Sequence, residues 1–180
     1  NTPRTPNDWA WGLYASGGGL AEAIRPFGNS LSTGSVFQVE MDNGTVQTGG
    51  TVGLALQSNI GTNRFQLYFN GGDSNYTIAD NSGTRNTGLA FTGEGVTVAL
   101  TLTGVDTYSV TLTRKVNGVS TNLTGTLAGT VGTGIERLRL FNSNAGTLTA
   151  HDAYFNRLQW TTSGGTRTDD AYHFVYDDGW

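Results

Sequence analysis

The chain has 180 residues, a net charge of −4 and no cysteine. That length fits one domain. The negative charge argues against nucleic acid or an anionic membrane surface as partner, and the lack of cysteine excludes a disulfide frame, a thiolate nucleophile and any Cys-based metal site. Only 36% of residues are hydrophobic, yet 4 Trp, 7 Tyr and 8 Phe set the chain apart from disordered sequences. Its 27 glycines, frequent Thr and Asn, and 13% charged residues suit short strands joined by tight turns. Lys115 is the sole lysine, and a Lys-poor, Thr/Asn/Gly-rich surface is typical of bacterial secreted proteins. The expected location is therefore secreted or at the cell surface. No apolar run approaches the roughly 18 residues of a membrane span, so no membrane insertion is expected. The chain opens on Asn1 and reads as a mature fragment or an excised module of a larger multidomain protein, with no targeting segment visible in it.

In chain order, Asp8-Trp9-Ala10-Trp11-Gly12-Leu13-Tyr14 comes first. Trp9 and Trp11 have equal parity and share a face if this is a strand. Tyr14 precedes Ser16-Gly17-Gly18-Gly19, which lacks the Lys-Ser/Thr of a phosphate loop. Leu20–Ile24 reads as a short helix or a strand. Period-two alternation then takes over. Phe37, Val39 and Met41 alternate with Gln38, Glu40 and Asp42; Val52, Leu54 and Leu56 follow, then Phe65, Leu67 and Phe69 with Arg64, Gln66 and Tyr68 between. Val96 to Leu102 and Tyr108 to Leu112 point Thr, Ser and Ala to the other side. Turn signals separate the runs, among them Asp42-Asn43-Gly44, Asn70-Gly71-Gly72-Asp73 and Asn117-Gly118, the last a strong hairpin cue. Roughly a dozen strands are expected, enough for two packed antiparallel sheets. The expected fold is all-β, a two-sheet antiparallel β-sandwich of jelly-roll type over residues 1–160. Thr161 to Thr166 suggests a boundary, and residues 161–180 read as a tail of the same domain: an edge strand over Tyr172-His173-Phe174-Val175-Tyr176, or a linker.

The outer faces differ in chemistry. Gln38, Glu40, Arg64, Gln66, Tyr68, Arg137 and Arg139 point outward on parity, and if their strands share a sheet they make a planar-polar face. Aromatic rings stack on the apolar side of a sugar ring, while Arg, amides and carboxylates bond hydroxyls in pairs. The same charges also fit ordinary cross-strand ion pairs.

Catalytic signals are thin. Glycosidases use two carboxylates. Glu40-Met41-Asp42 begins a glucanase-like pattern, but Asn43-Gly44-Thr45 follows where a third carboxylate is needed. His151 and His173 sit in no triad or zinc spacing. Asp42, Asp73 and Asp152 offer hard oxygen ligands near turns, and Asp42 and Asp152 are the candidates for a structural calcium. An Asx-turn explains such residues equally well.

Trp11-Gly12-Leu13-Tyr14-Ala15, Phe37 to Gly44, Phe141-Asn142-Ser143-Asn144-Ala145-Gly146 and Asp152 to Leu158 resemble the concanavalin A-like lectin/glucanase superfamily and the β-sandwich carbohydrate-binding modules of bacterial polysaccharide-degrading enzymes. The resemblance implies a jelly roll that binds a polysaccharide or oligosaccharide without cleaving it, with an acidic residue opening the final strand as a calcium ligand. Candidate sugar contacts are Trp9, Trp11, Tyr14 and Tyr68 for stacking and Arg25, Arg64, Arg139, Asn142 and Asn144 for hydroxyls. The alternatives are a structural or adhesive spacer of a surface protein, and a glycoside hydrolase or polysaccharide lyase using Glu40.

Overall fold

The computed structural model describes residues 10–14, 18–162 and 164–169. They form thirteen strands: β1 (Trp11–Leu13), β2 (Leu20–Leu31), β3 (Val36–Asn43), β4 (Thr51–Gln57), β5 (Asn63–Asn70), β6 (Asn75–Asp80), β7 (Gly83–Ala90), β8 (Val96–Leu102), β9 (Thr107–Arg114), β10 (Ser120–Thr126), β11 (Ile135–Ser143), β12 (Ala153–Thr162) and β13 (Gly165–Asp169). One 3-10 turn, Thr149–His151, precedes β12. No helix among the described residues is long and apolar enough to cross a membrane.

Two antiparallel sheets face each other. The seven-stranded sheet runs β1-β12-β3-β8-β9-β10, with β13 also paired to β12; the six-stranded sheet runs β2-β11-β4-β5-β6-β7. The alternating runs supply the core. Phe37, Val39, Met41, Val98, Leu100, Val110 and Phe155 face Leu54, Leu56, Phe65, Leu67, Leu138 and Leu140 across the sandwich, nearly all sealed from solvent. Each such side chain contributes about 1.5–3 kcal/mol by burial.

Leu20–Ile24 belongs to the 12-residue strand β2; pairing with β11 decides between the two sequence readings. The Asn117-Gly118 turn closes the β9–β10 hairpin. Gly118 adopts φ 69°, its N–H donates to Arg114 O (3.0 Å), and Asn117 Oδ1 accepts from Val119 N–H (3.1 Å). Beyond the expected boundary, β13 folds back on β12. Residues 172–176 lie outside the described residues.

The parity reading fails at Arg64. Gln57 pairs with Asn63 and Leu56 with Phe65, so Arg64 is the extra residue of a β-bulge. The bulge turns it from the outer face, and it is 0% exposed. Its guanidinium bonds the Asp106 carboxylate and the Ala128 carbonyl, and Thr130 O at 2.9 Å. Asp106 also accepts from Gly132 N–H (2.8 Å). Arg64 therefore fastens the β8–β9 turn and the β10–β11 loop to β5 and is no surface sugar ligand.

Candidate glycan-binding trough

On the outer face of the six-stranded sheet, β4 presents Thr51, Gly53 and Ala55, and its neighbours rise on both sides. Register sets Arg139, Phe141 and Ser143 of β11 opposite Ala55, Gly53 and Thr51. From the other side, Gln66, Tyr68 and Asn70 of β5 stand opposite the same three residues. The result is a shallow trough over β4, with the small residues Gly53 and Ala55 buried beneath the two walls. Each wall has a ring at its middle and polar groups at its ends. Strand spacing makes it about 9.5 Å from wall to wall and about 13 Å long. A groove of about 380 Å³ lies there, lined by Thr51, the six wall residues and Leu20.

Gly53 is required by the close approach of β5. A Cβ there would fall 2.3 Å from Leu67 O and 2.6 Å from Tyr68 Cβ. The Arg139 guanidinium is oriented twice: its Nε donates to Glu22 Oε2 (2.6 Å), and its carbon sits 4.9 Å from the Phe141 ring centre. Phe141 is only 6% exposed under this cover, so Tyr68 is the accessible ring. At the other end Asn70 Oδ1 accepts from Thr51 Oγ1 (3.0 Å) and its Nδ2 donates to Asp73 (3.0 Å). Positioned amides, a hydroxyl, a guanidinium and one ring form a polar, semi-rigid surface suited to hydroxyl-rich ligands.

The sequence-derived candidates scatter. Tyr68 and Arg139 stand on facing walls of the trough. Asn142 is sealed in the interior, where its Nδ2 donates to Leu13 O and His151 O (both 3.0 Å) and ties β1 to the 3-10 turn. Asn144 adopts φ 51° and anchors the loops, accepting from Gln47 Nε2 and donating its N–H to Gly19 O (2.8 Å). Arg25 lies at the side of the sandwich, its Nε on Asp169 (2.6 Å) and its guanidinium 5.4 Å from the Trp160 ring. Trp11 packs against the core. Tyr14 is 64% exposed and meets Tyr154 edge-on at 6.3 Å. Since Gly12 pairs with Tyr154, Tyr14 belongs to the opposite, seven-stranded face. Trp9 lies outside the described residues. Gln66, read from the sequence as part of a planar-polar face, and Asn70, Phe141 and Ser143, which were not sequence candidates, complete the trough. Their period-two spacing with Tyr68 and Arg139 was readable, whereas their opposition across β4 depends on strand order.

Gln38 and Glu40 belong to β3, so they share no sheet with Gln66 and Tyr68, and the single planar-polar face divides in two. Glu40 is 9% exposed and is held between Lys115 Nζ (2.5 Å) and Arg157 (3.1 Å). It lines a larger depression of about 720 Å³ on the seven-stranded sheet, together with Asp42, Glu94, Asp152 and Tyr154. Among the described residues no group of three His, Asp or Glu side chains is placed to hold a metal ion. The calcium expectation rests on Asp42 and Asp152 alone.

No protein-family profile matches this sequence, and no curated protein does. Solved structures do resemble the fold. A chain named sialidase aligns with TM-score 0.59 at 12% identity, over 80% of this chain and 14% of its own length. The fold is that of the concanavalin A-like jelly-roll sandwiches. A tetrameric galectin from the ball sponge Cinachyrella sp. aligns with TM-score 0.53 at 12% identity, over 76% of this chain and 96% of its own. An eqolisin-family peptidase, SCP-B, aligns with TM-score 0.53 at 12% identity, over 84% and 85%. This chain thus spans about a seventh of the sialidase-named chain but nearly all of the galectin. Chains with three different names align on this fold, so the fold alone selects no chemistry.

Proposed function

We propose that this domain binds glycan non-catalytically in the trough along β4, as an accessory module of a secreted or cell-surface protein. The observation that carries the reading is the facing of Arg139-Phe141-Ser143 with Gln66-Tyr68-Asn70 across Thr51, Gly53 and Ala55. Tyr68 offers the apolar platform. Arg139 and Gln66 at one end, and Asn70 and Ser143 at the other, offer donors and acceptors for ring hydroxyls. The names of two structural neighbours, a sialidase and a galectin, are consistent with glycan as the ligand class.

Binding without cleavage is favoured by the carboxylates. None lines the trough among the described residues, and the nearby Glu22 is engaged by Arg139. Glycoside hydrolysis uses a pair flanking the scissile bond. Glu40, the sequence candidate for catalysis, is on the other sheet inside an ion triad.

Affinity electrophoresis through soluble starch, xylan, mixed-linkage β-glucan, laminarin, alginate and dextran tests the reading. At least one polysaccharide is expected to retard the domain, and Tyr68→Ala to weaken that binding about 5–30-fold, as expected for about 1–2 kcal/mol of lost ring contact. Migration unaffected by every glycan would refute it.

A further inference from the structure

The two ends of the trough differ, and the difference bears on which part of a glycan enters. Beyond Ala55 the next outward residue of β4 is Gln57, beside Arg137 of β11 and Asn63 of β5. These three form a hydrogen-bonded bar across the sheet. Arg137 Nε donates to Gln57 Oε1 (3.0 Å), and Gln57 Nε2 donates to Asn63 Oδ1 (2.7 Å). Gln57 is 4% exposed, and its amide is used on both sides. The outward row of β4 therefore runs from the small residues Gly53 and Ala55 into a fixed polar bar, and the lining of the groove stops short of this bar.

Among the described residues the opposite end has no such barrier. Past Thr51 and Asn70, the next positions of outward parity are Gly49 and Gly72, both exposed. Among the described residues no heavy atom lies within 4 Å of a Cβ built on Gly49, and only Thr48 Oγ1 (3.8 Å) lies that near one on Gly72. Leu20 stands exposed at this mouth. The trough is a slot about 13 Å long, closed at the Gln57 bar and open at the glycines.

We infer that the slot takes the terminal sugars of a glycan chain, end-on, with the last residue against Arg139 and Gln66 and the rest leaving over Gly49 and Gly72. This rests on the trough being the glycan site. An internal segment would have to lift out of the groove to clear the Gln57 bar, whereas a chain end stops against it. The terminal ring then lies beside Tyr68, and its outermost hydroxyls meet the Arg139 guanidinium and the Gln66 amide. Such recognition counts chain ends rather than chain mass.

The test compares each polysaccharide that retards the domain with its own partial acid hydrolysate at equal mass, by isothermal titration calorimetry with the intact domain. End-on binding predicts sites per gram that rise in proportion to the number of chain ends, with affinity per site unchanged once fragments fill the slot. Sites per gram that stay constant on hydrolysis would overturn end-on binding while leaving the trough as a glycan site. No binding to either form would remove the glycan reading itself, and this inference with it. A second arm uses Gln57→Ala, checked for folding by its thermal melt. Removing the bar is expected to raise sites per gram on the intact polysaccharide by admitting internal segments, and an unchanged site count in a folded variant would contradict the role of the bar.

Discussion

Replacing Asp106 with alanine strands the Arg64 guanidinium in the interior. In the parent, Arg64 is wholly buried and the Asp106 side chain is 10% exposed. Removing one partner of a buried ion pair costs about 3–5 kcal/mol, because the remaining charge is left uncompensated. Arg64 would keep the carbonyls of Ala128 and Thr130, which offset part of the loss, while Gly132 N–H would lose its acceptor. The lower end, about 3 kcal/mol, is therefore expected. For a domain of this size each kcal/mol moves the melting temperature by about 2–4 °C, giving a fall of about 6–12 °C. Urea unfolding and calorimetry on the same samples read both quantities. The double variant Arg64→Met/Asp106→Leu carries no stranded charge and should recover most of the loss. An Asp106→Ala protein within about 0.5 kcal/mol of the parent, the range of ordinary surface changes, would refute the buried pair.

Gly53→Ala should destabilise the fold by about 1–3 kcal/mol in a urea titration, since its Cβ meets the Leu67 carbonyl and strand β5 must move; unchanged stability would mean that the strands are further apart. Burial, and then Asp42, raise the Tyr76 phenol above the ordinary tyrosine value, while burial, and then the Asp80 hydrogen bond, raise Tyr108. The native state then holds protons that the unfolded chain releases above about pH 10, so this stability is present below that pH and is lost as pH rises further. Ultraviolet titration should find two of the seven tyrosines ionising only on unfolding, and smooth ionisation of all seven in the folded protein would contradict it. Glu40→Gln should leave glycan affinity unchanged in calorimetry, because Glu40 lies on the other sheet; a large loss would move the site there. Its stability cost should stay under about 1 kcal/mol, since its two cationic partners are well exposed.

Local rules carried the fold a long way. Alternation from Phe37 to Met41 and from Val96 to Leu102 marks two strands because one buried face imposes a period of two. Asn117-Gly118 marks a hairpin because its turn needs left-handed backbone. Non-local pairing was beyond their reach. β2 lies beside β11, more than 100 residues later in the chain, and no local pattern in Leu20–Ile24 encodes that partner. The trough shares this limit. Tyr68 and Arg139 were legible as outward polar residues, but their standing on facing walls depends on β4 lying between β5 and β11. Arg64 was misplaced by one inserted residue, which reverses parity without altering composition. Asn142 was misplaced because an amide is as suited to capping buried carbonyls as to binding a sugar.

Backbone amide shifts followed by NMR during titration with a retarding glycan locate the ligand on one sheet or the other. Binding in the trough makes perturbations concentrate in residues 51–55, 66–70 and 139–143, with β3 and β12 unmoved. Shifts centred on Glu40, Asp42 and Tyr154 instead would place the ligand on the seven-stranded sheet and contradict it.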